Sequence, residues 1–320
     1  MASSSPRWTP LLACATFMAA GPILILINSH ILNKLKFNFP ILLSAFGVAF
    51  SALACRLLVA LRIVHLQKPE LTRSNSFCIK TTIPLALLAA SSLAFGNASY
   101  VHLGVGMCQM LKSLTPVMTL LLLRILGLEH PTKSVILCVL VMAVGTSIAA
   151  TNGELAVSHL GLVLQLSANL VEACRVTLSQ RLLASQRFSL PLVEMQYHVA
   201  PWQTFFLLAA SALFEVGNKP GAVGSALEIV CASPRTFVLA SVLGFSLQVL
   251  GLSVIRTAGS LTMKLLTISR NGGLVLFQAI SGAESFEPAQ LAGHTLSTMA
   301  FIIFTTIKLR DASLSMKKLV

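Results

Sequence analysis

The sequence has few charged residues and very few acidic ones. Of its 320 residues, 10% are charged, whereas an average soluble domain has about 25%. So few charges cannot cover a water-exposed surface, which excludes a soluble globular enzyme. A chain that is 55% hydrophobic is not disordered either. With a mean hydropathy of +0.84, the composition predicts an all-α protein that crosses a membrane several times.

Sequence motifs that carry chemistry are absent as well. There is no Walker-type phosphate loop, no HExxH, no CxxC, and no nucleophile placed beside a base. The seven cysteines and seven histidines are scattered and form no ligand set. Basic residues do not cluster on one solvated face, as nucleic-acid binding would require. We therefore expect no enzymatic activity, no cofactor, no metal and no nucleic-acid partner.

Long apolar runs indicate the membrane spans. A transmembrane helix needs about 20 mostly apolar residues, and ten runs of roughly this length occur in one domain, 1–320. They cover residues 8–31, 40–61, 82–101, 104–123, 134–151, 159–180, 191–214, 236–255, 259–282 and 288–307. The gaps are short and contain helix breakers, so no gap holds a soluble domain. The sequence therefore predicts ten transmembrane helices.

The basic residues outside these spans indicate the topology. With the N-terminus in the cytosol, 14 of them fall on the cytosolic side and 4 on the opposite side. Because cytoplasmic loops carry an excess of Lys and Arg, this distribution places both termini in the cytosol.

Five basic residues fall inside predicted spans, where a charge costs about 2.5–3.5 kcal/mol. They are Arg56, Lys112, Arg175, Lys264 and Arg270. Only Glu172 is clearly acidic at a similar depth, so the pattern favours a water-filled cavity that holds an anion. Two of the five have simpler interpretations. Arg56 can extend to the cytosolic edge, and Glu172 with Arg175, at i and i+3, can form a structural ion pair.

The remaining three basic residues are the candidate ligands. Lys112 lies mid-span with no acid within a turn, and Pro116 loosens the helix after it. Arg270 precedes Asn271–Gly273, where backbone can approach a ligand closely. Lys264 lies six residues before Arg270 in the same predicted helix.

The two halves of the chain resemble each other. Residues 109–115 are similar to residues 261–267, which places a lysine of the fourth span over a lysine of the ninth. The pattern predicts five-helix repeats over 8–151 and 159–307, followed by a cytosolic tail, 308–320. Because five is odd, the second repeat would be inverted, which is the plan of many secondary transporters with a midplane site.

Several motifs together carry a resemblance to a known family. They are Phe37-Asn38-Phe39-Pro40, Gly96-Asn97-Ala98-Ser99-Tyr100, Gln109-Met110-Leu111-Lys112-Ser113-Leu114-Thr115-Pro116-Val117, Glu172-Ala173-Cys174-Arg175, Tyr197-His198-Val199-Ala200-Pro201, and Ser260-Leu261-Thr262-Met263 leading to Arg270. In this order they resemble the nucleotide-sugar and triose-phosphate translocator family of the drug/metabolite transporter superfamily. Its plant-type branch of sugar-phosphate or nucleotide-sugar translocators is the most similar.

The resemblance implies a function and a site. It implies a ten-helix antiporter that exchanges a sugar phosphate or nucleotide sugar for phosphate or a nucleoside monophosphate. It also implies that Lys112 grips the phosphate and that Arg270 occupies the ninth-helix lysine position, next to Asn271. The chain departs from the usual lysine-containing dyads there, and from the first-helix Asn-Lys pair at Asn28-Ser29. Arg keeps the positive charge but offers a planar fork where Lys offers a point charge.

Other residues are expected to support this site. Thr115 follows Lys112 in its motif, and Glu172 with Arg175 adds charge nearby. A base or sugar has possible aromatic contacts in three residues, although packing is an alternative role for each: Tyr100, Tyr197 and Trp202. Two cationic ligands, one from each half of the chain, would repel each other in an empty carrier. Because a bound anion offsets this repulsion, the arrangement would favour obligatory exchange.

The last residues predict a location. Lys317 and Lys318 resemble a dilysine retrieval signal read by coat proteins, which indicates the Golgi or the endoplasmic reticulum, although they are also ordinary positive flank. About seven residues precede the first span, which is short for a transit peptide and disfavours the plastid envelope.

Two alternative functions stay open. An exporter of amino acids or other small metabolites has the same scaffold, but five basic residues within spans disfavour neutral or cationic cargo. A non-transporting membrane scaffold has no use for unpaired charge at mid-span. Apart from lipid and a coat protein, the expected partner is an anionic phosphorylated metabolite.

Overall fold

The computed structural model describes residues 8–66, 75–100, 102–103, 105–112, 114–126, 132–151, 158–184, 191–217, 222–281 and 287–317. Within these ranges every regular element is helical. Five of the described helical segments are long and apolar enough to cross a membrane: Ala15–Leu32, Pro40–Ala60, Asn75–Ser99, Leu192–Val216 and Pro234–Arg256. The predicted all-α membrane class is therefore confirmed, while the count of ten crossings stays a prediction.

The α-helices are numbered here in chain order. They are α1 Trp8–Ser29, α2 Pro40–Ala60, α3 Asn75–Phe77, α4 Ile83–Ser99, α5 Val105–Lys112, α6 Thr115–Ile125, α7 Lys133–Thr151, α8 His159–Ala184, α9 Leu192–Ser211, α10 Ala222–Ala232, α11 Pro234–Ser281 and α12 Pro288–Lys317. Short π-helical segments also occur at His30–Lys34, Cys78–Thr82 and Ala212–Val216.

The chain forms two compact units that do not follow the order of the sequence. Unit 1 comprises Met1–Ala98 and Leu178–Gly259, and unit 2 comprises Ser99–Thr177 and Ser260–Val320. Each unit therefore takes residues from both predicted repeats. The repeat boundaries themselves, 8–151 and 159–307, stay a prediction.

Unit 1 is built around the pairing of α2 with α9. One apolar cluster joins α2, α4 and α9, with Ala45 and Ala200 fully buried at its centre. A second cluster surrounds Phe37, whose ring lies edge-on to the rings of Phe39 at 5.4 Å and Phe237 at 5.2 Å between centroids. These contacts fix the segment that leads into α2.

A distant carboxylate caps α2. Pro40 begins the helix and has no N–H, and Phe39 before it provides no side-chain cap. Instead Glu215 accepts hydrogen bonds from the backbone N–H of Ile41 at 2.6 Å and of Leu42 at 2.9 Å. A negative charge at a helix N-terminus is stabilised by the helix dipole and by the orphan N–H groups of the first turn.

Unit 2 is built around the pairing of α7 with α12. Its apolar core includes Met142 on α7 together with Phe301 and Phe304 on α12, all nearly inaccessible. The two helices approach closely at Gly145, where an added Cβ would lie 2.7 Å from the carbonyl oxygen of Gly293. Only a residue without a side chain fits this position.

Three details differ from the sequence prediction. The predicted boundary between spans 236–255 and 259–282 is absent, since α11 runs unbroken for 48 residues. Arg256 lies in the predicted gap between these spans, but a charge does not break a helix, and Gly259 shortly after it is tolerated within the helix. Helix α10 lies in a predicted loop, and α12 extends beyond the predicted span 288–307 as far as Lys317. The cytosolic position of the tail, 308–320, stays a prediction.

Candidate functional site

The fourth predicted span is broken at Lys112. Helix α5 ends at Lys112 and α6 begins at Thr115, with Pro116 in its first turn. The N–H of Leu114 donates to the carbonyl of Leu111 at 3.1 Å, and the Thr115 hydroxyl donates to the carbonyl of Lys112 at 2.7 Å. Proline has no N–H to continue the ladder, so the loosening expected from Pro116 takes the form of a break between α5 and α6. Lys112 therefore lies at a helix end.

The ammonium of Lys112 is held by one aromatic residue. Its Nζ donates to the Tyr100 hydroxyl at 2.6 Å and lies 4.9 Å from the centroid of the Tyr100 ring. Among the described residues, no carboxylate forms an ion pair with Lys112. An ammonium has three N–H donors, and a single hydrogen bond from Nζ is found within the described ranges. The side chain is half-buried and keeps capacity for an anion.

A chain of buried hydrogen bonds lies beside this contact, and sequence reasoning missed it. The Ser99 hydroxyl donates to Gln165 Oε1 at 2.8 Å, and Gln165 Nε2 donates to Asn169 Oδ1 at 2.9 Å. Asn169 Nδ2 then donates to the carbonyl of Leu111 at 2.8 Å. All three side chains are buried, with at most 2% exposed.

Helix α8 can reach this position because of one glycine. At Gly161 an added Cβ would lie 2.7 Å from Leu103 Cγ and 2.8 Å from His102 Cβ. Both residues belong to the turn after α4, where their N–H groups donate to the Ser99 carbonyl. Gly161 thus permits the close approach that lets Gln165, one helical turn later, contact Ser99.

Glu172 and Arg175 form the ion pair that their spacing predicts. Arg175 Nε donates to Glu172 Oε2 at 2.6 Å, and Nη2 donates to Oε1 at 2.7 Å. Their side chains are 23% and 22% exposed. This geometry is bidentate, so most of the Arg175 charge is compensated within α8. The structural interpretation of the pair agrees with these contacts.

The structure describes the other predicted residues unevenly. Thr115 is buried at the helix break. Helix α11 carries the backbone of Lys264, Arg270 and Asn271 in unit 2, and their side chains lie outside the described part of the structure. The backbone of Lys317 ends α12, and its side chain lies outside the described part of the structure. Lys318 lies outside the described residues.

Two predicted aromatic contacts belong to unit 1. The Tyr197 ring lies edge-on to His198 at 5.4 Å, and the Trp202 ring lies edge-on to Phe205 at 6.5 Å. Both rings have aromatic neighbours, which agrees with a packing role. The structure thus brings Lys112, Tyr100 and Thr115 together, and it leaves these two aromatic residues in the other unit.

The sequence is similar to transport proteins over most of its length. A "Probable sugar phosphate/phosphate translocator" of Arabidopsis thaliana is 28% identical over 293 residues, covering 90% of this chain and 76% of that protein. A second protein of that name and organism is 28% identical over 299 residues, covering 91% and 76%. "UDP-galactose transporter 1" of Arabidopsis thaliana is 26% identical over 243 residues, covering 74% and 70%.

The fold and the family are supported separately. A solved crystal structure matches 92% of this chain and 98% of its own chain with a TM-score of 0.59 at 15% identity, which indicates a shared fold. Residues 11–268 match the profile of the Triose-phosphate Transporter family. This match covers well over half of the sequence and includes the broken helix with Lys112. The chain therefore belongs to the Triose-phosphate Transporter family.

Proposed function

We propose that this protein is a secondary antiporter that exchanges a phosphorylated organic anion for phosphate or a nucleoside monophosphate by alternating access. The single observation that carries the proposal is the position of Lys112, a half-buried cation at a helix break. Its ammonium donates one hydrogen bond to the Tyr100 hydroxyl and has further N–H groups for a ligand. The relatives' names support the substrate class, since they include a sugar phosphate and a UDP-sugar.

Phosphate suits this arrangement chemically. It carries up to two negative charges at neutral pH and several strong acceptor oxygens, which a Lys ammonium binds as a point charge. Lys112 donates once to Tyr100 and has two further N–H groups for such oxygens. Lys264 and Arg270 belong to the same compact unit and are proposed as further phosphate ligands. Asn271, Thr115 and the Glu172–Arg175 pair are proposed to support them.

Lys112→Met tests the proposal. The purified protein is heated with inorganic phosphate, nucleoside monophosphates, nucleotide sugars, sugar phosphates or neutral sugars. A ligand that binds only the folded state raises the melting temperature. At a ligand concentration of 100 times the Kd, the free energy of unfolding rises by about 2.7 kcal/mol. We expect phosphorylated compounds to stabilise the wild type, and we expect Lys112→Met to abolish this shift. Lys133→Met is the matched control, because Lys133 is an exposed lysine of the same unit.

The possible outcomes separate the alternatives. Stabilisation by nucleoside monophosphates and a nucleotide sugar identifies a nucleotide-sugar antiporter, and stabilisation by small phosphate esters identifies a sugar-phosphate translocator. Shifts with amino acids or neutral compounds alone would favour the exporter. If no anion shifts the melting temperature and Lys112→Met only gains stability, the protein is a scaffold and the proposal is wrong.

Obligatory exchange is proposed to arise from repulsion between cations. An empty carrier that must bring Lys112 and Arg270 into one occluded state is disfavoured, whereas a bound anion offsets the repulsion. Arg270→Gln is therefore expected to lose exchange in liposomes while it still binds the anion. Normal exchange by this variant would contradict the mechanism.

We also propose that the protein resides in early secretory membranes with both termini in the cytosol. The proposal depends on Lys317 and Lys318 as a retrieval signal for coat proteins. Replacing both lysines by serine should move a fluorescently tagged protein forward in the secretory pathway. An unchanged distribution by imaging would count against this location.

A further inference from the structure

We infer that Gln165 and Asn169 are positioning residues for the anion site. Together with Ser99, they fix the helix break that presents Lys112. This inference rests on the proposed function for its ligand, but its structural part can be tested without one. The observations that carry it are the three hydrogen bonds that join Ser99, Gln165, Asn169 and the carbonyl of Leu111.

The two ends of this chain lie next to the two groups in contact at the site. Ser99 directly precedes Tyr100, and Leu111 directly precedes Lys112. The Tyr100 hydroxyl and the Lys112 ammonium in turn meet at 2.6 Å. Helix α8 therefore holds the backbone beside both partners, so a shift of either end would change where Nζ lies.

The direction of each hydrogen bond is fixed by chemistry. The Leu111 carbonyl can only accept, so Asn169 must turn its amide nitrogen toward it and its oxygen toward Gln165. That oxygen requires the Gln165 amide nitrogen, which turns the Gln165 oxygen toward Ser99. The hydroxyl of Ser99 must then donate. Because each orientation depends on the next, breaking one bond removes a hydrogen bond from two buried polar groups. The Ser99 hydroxyl also lies 3.5 Å from Cys108 Sγ.

The helix break makes this support necessary. Carbonyls in the last turn of a helix lack the i+4 donor of a continuous helix, and among the described residues the Leu111 carbonyl accepts an i+3 bond from the N–H of Leu114. The Asn169 amide adds a second donor to the Leu111 oxygen. It thereby fixes the end of α5 from outside the helix, where α5 alone would fray.

Gln165→Met is the first variant, because methionine has nearly the same volume as glutamine and makes neither hydrogen bond. Asn169→Leu breaks the chain one step later, and Ser99→Ala removes only the outermost donor. Thr298→Val is the control in unit 2, since the Thr298 hydroxyl donates within its own helix to the His294 carbonyl at 2.8 Å. None of these substitutions changes charge.

The first measurement needs no ligand. Backbone amide hydrogen exchange of the segment from Leu114 to Met118 is followed in the purified, full-length, ligand-free protein. We expect exchange about 10-fold faster in Gln165→Met and Asn169→Leu, because each variant breaks the buried hydrogen-bond chain that ends at the Leu111 carbonyl. Thr298→Val should leave this segment unchanged. Equal exchange rates in all variants would overturn the inference, whatever the protein transports.

The second measurement uses inorganic phosphate and uridine monophosphate as probes in the thermal-shift assay. We expect the Kd to rise about 10-fold in Gln165→Met and about 3-fold in Ser99→Ala, with no change in Thr298→Val. A purely structural role would lower the melting temperature of the free protein and leave the Kd unchanged. That result would overturn the inference. If Gln165→Met does not fold, the Kd of Ser99→Ala for the same two probes decides.

The two failures can be told apart. If the wild type responds to neither probe nor to the wider panel, the proposed function fails, and the exchange experiment still decides whether the network fixes the break. If the wild type and Lys133→Met respond normally and the network variants bind as tightly as the wild type, the proposed function stands and the positioning role is wrong.

Discussion

Glu215 in unit 1 and Lys112 in unit 2 are both charged residues in a chain with few charges, and their surroundings differ. Glu215 is 9% exposed and accepts from the N–H groups of Ile41 and Leu42 and, at 2.9 Å, from the Ser211 hydroxyl. Lys112 donates to Tyr100 alone among the described residues. The fold uses the hydrogen-bonding capacity of Glu215, whereas a single hydrogen bond uses the ammonium of Lys112 within the described part of the structure.

This difference shows how to interpret charge inside a membrane protein. An ionisable residue in a span is costly and is a functional candidate by default. The contacts then decide, since a charge whose bonds are filled by the chain has a structural role. The charge of Arg175 is paired, because Glu172 accepts two of its N–H groups, and this agrees with a structural ion pair. Its support of the proposed site stays a prediction. Lys112, in contrast to Arg175, has no ion pair among the described residues, and it still fits the functional interpretation.

Glu215→Ala should give the largest effect on stability. The substitution removes the acceptor for two N–H groups in the first turn of α2 and for the hydroxyl of Ser211. A buried donor left without a partner costs about 1–3 kcal/mol, so we expect the free energy of unfolding to fall by about 3 kcal/mol. The melting temperature of the purified protein measures this change.

The comparison also predicts what Glu215→Ala should leave unchanged. Protein that remains folded should bind phosphate with the wild-type Kd, since the proposed ligands Lys112, Lys264 and Arg270 belong to unit 2. Glu228→Ala is the matched control, because Glu228 is an exposed glutamate of unit 1. A melting temperature equal to that of this control would show that the capping contacts contribute little, and the contrast with Lys112 would lose its basis.

Local patterns predicted the features that depend on neighbouring residues. Pro116 indicated a weakened helix after Lys112, and the structure has a break there. The i,i+3 spacing of Glu172 and Arg175 indicated their ion pair, which is present. In both cases the residues that interact lie within one turn of each other, so the sequence contains the whole interaction.

Features that depend on distant residues could not be predicted in this way. The cap of α2 joins residues 174 positions apart, and no local pattern connects them. The network of Gln165 and Asn169 had a partial signal, because both lie with Glu172 on one face of α8 at i, i+4 and i+7. Neutral amides carry no charge to mark them as unusual within a span, so this signal is weaker than that of Lys112. Their partners, Ser99 and Leu111, are 66 and 58 residues away.

Tyr100→Phe should give a smaller effect that sharpens the comparison at Lys112. Phenylalanine keeps a ring beside the ammonium and removes the hydroxyl that accepts from Nζ at 2.6 Å. We expect the Kd for phosphate to rise about 3- to 10-fold, because the ammonium loses one fixed partner. The melting temperature without ligand should change little, since Lys112 is half-buried.

The chain offers a matched control for this substitution, since it contains only two tyrosines. Tyr197→Phe makes the same chemical change in unit 1, where the ring packs against His198. It should bind phosphate as the wild type does, and weaker binding would instead support a contact between Tyr197 and the substrate. Tighter binding by Tyr100→Phe would mean that the hydroxyl competes with the anion for Lys112. In that case Tyr100 occupies the position of a phosphate oxygen in the empty carrier, and Lys112 has less free capacity than its single bond suggests.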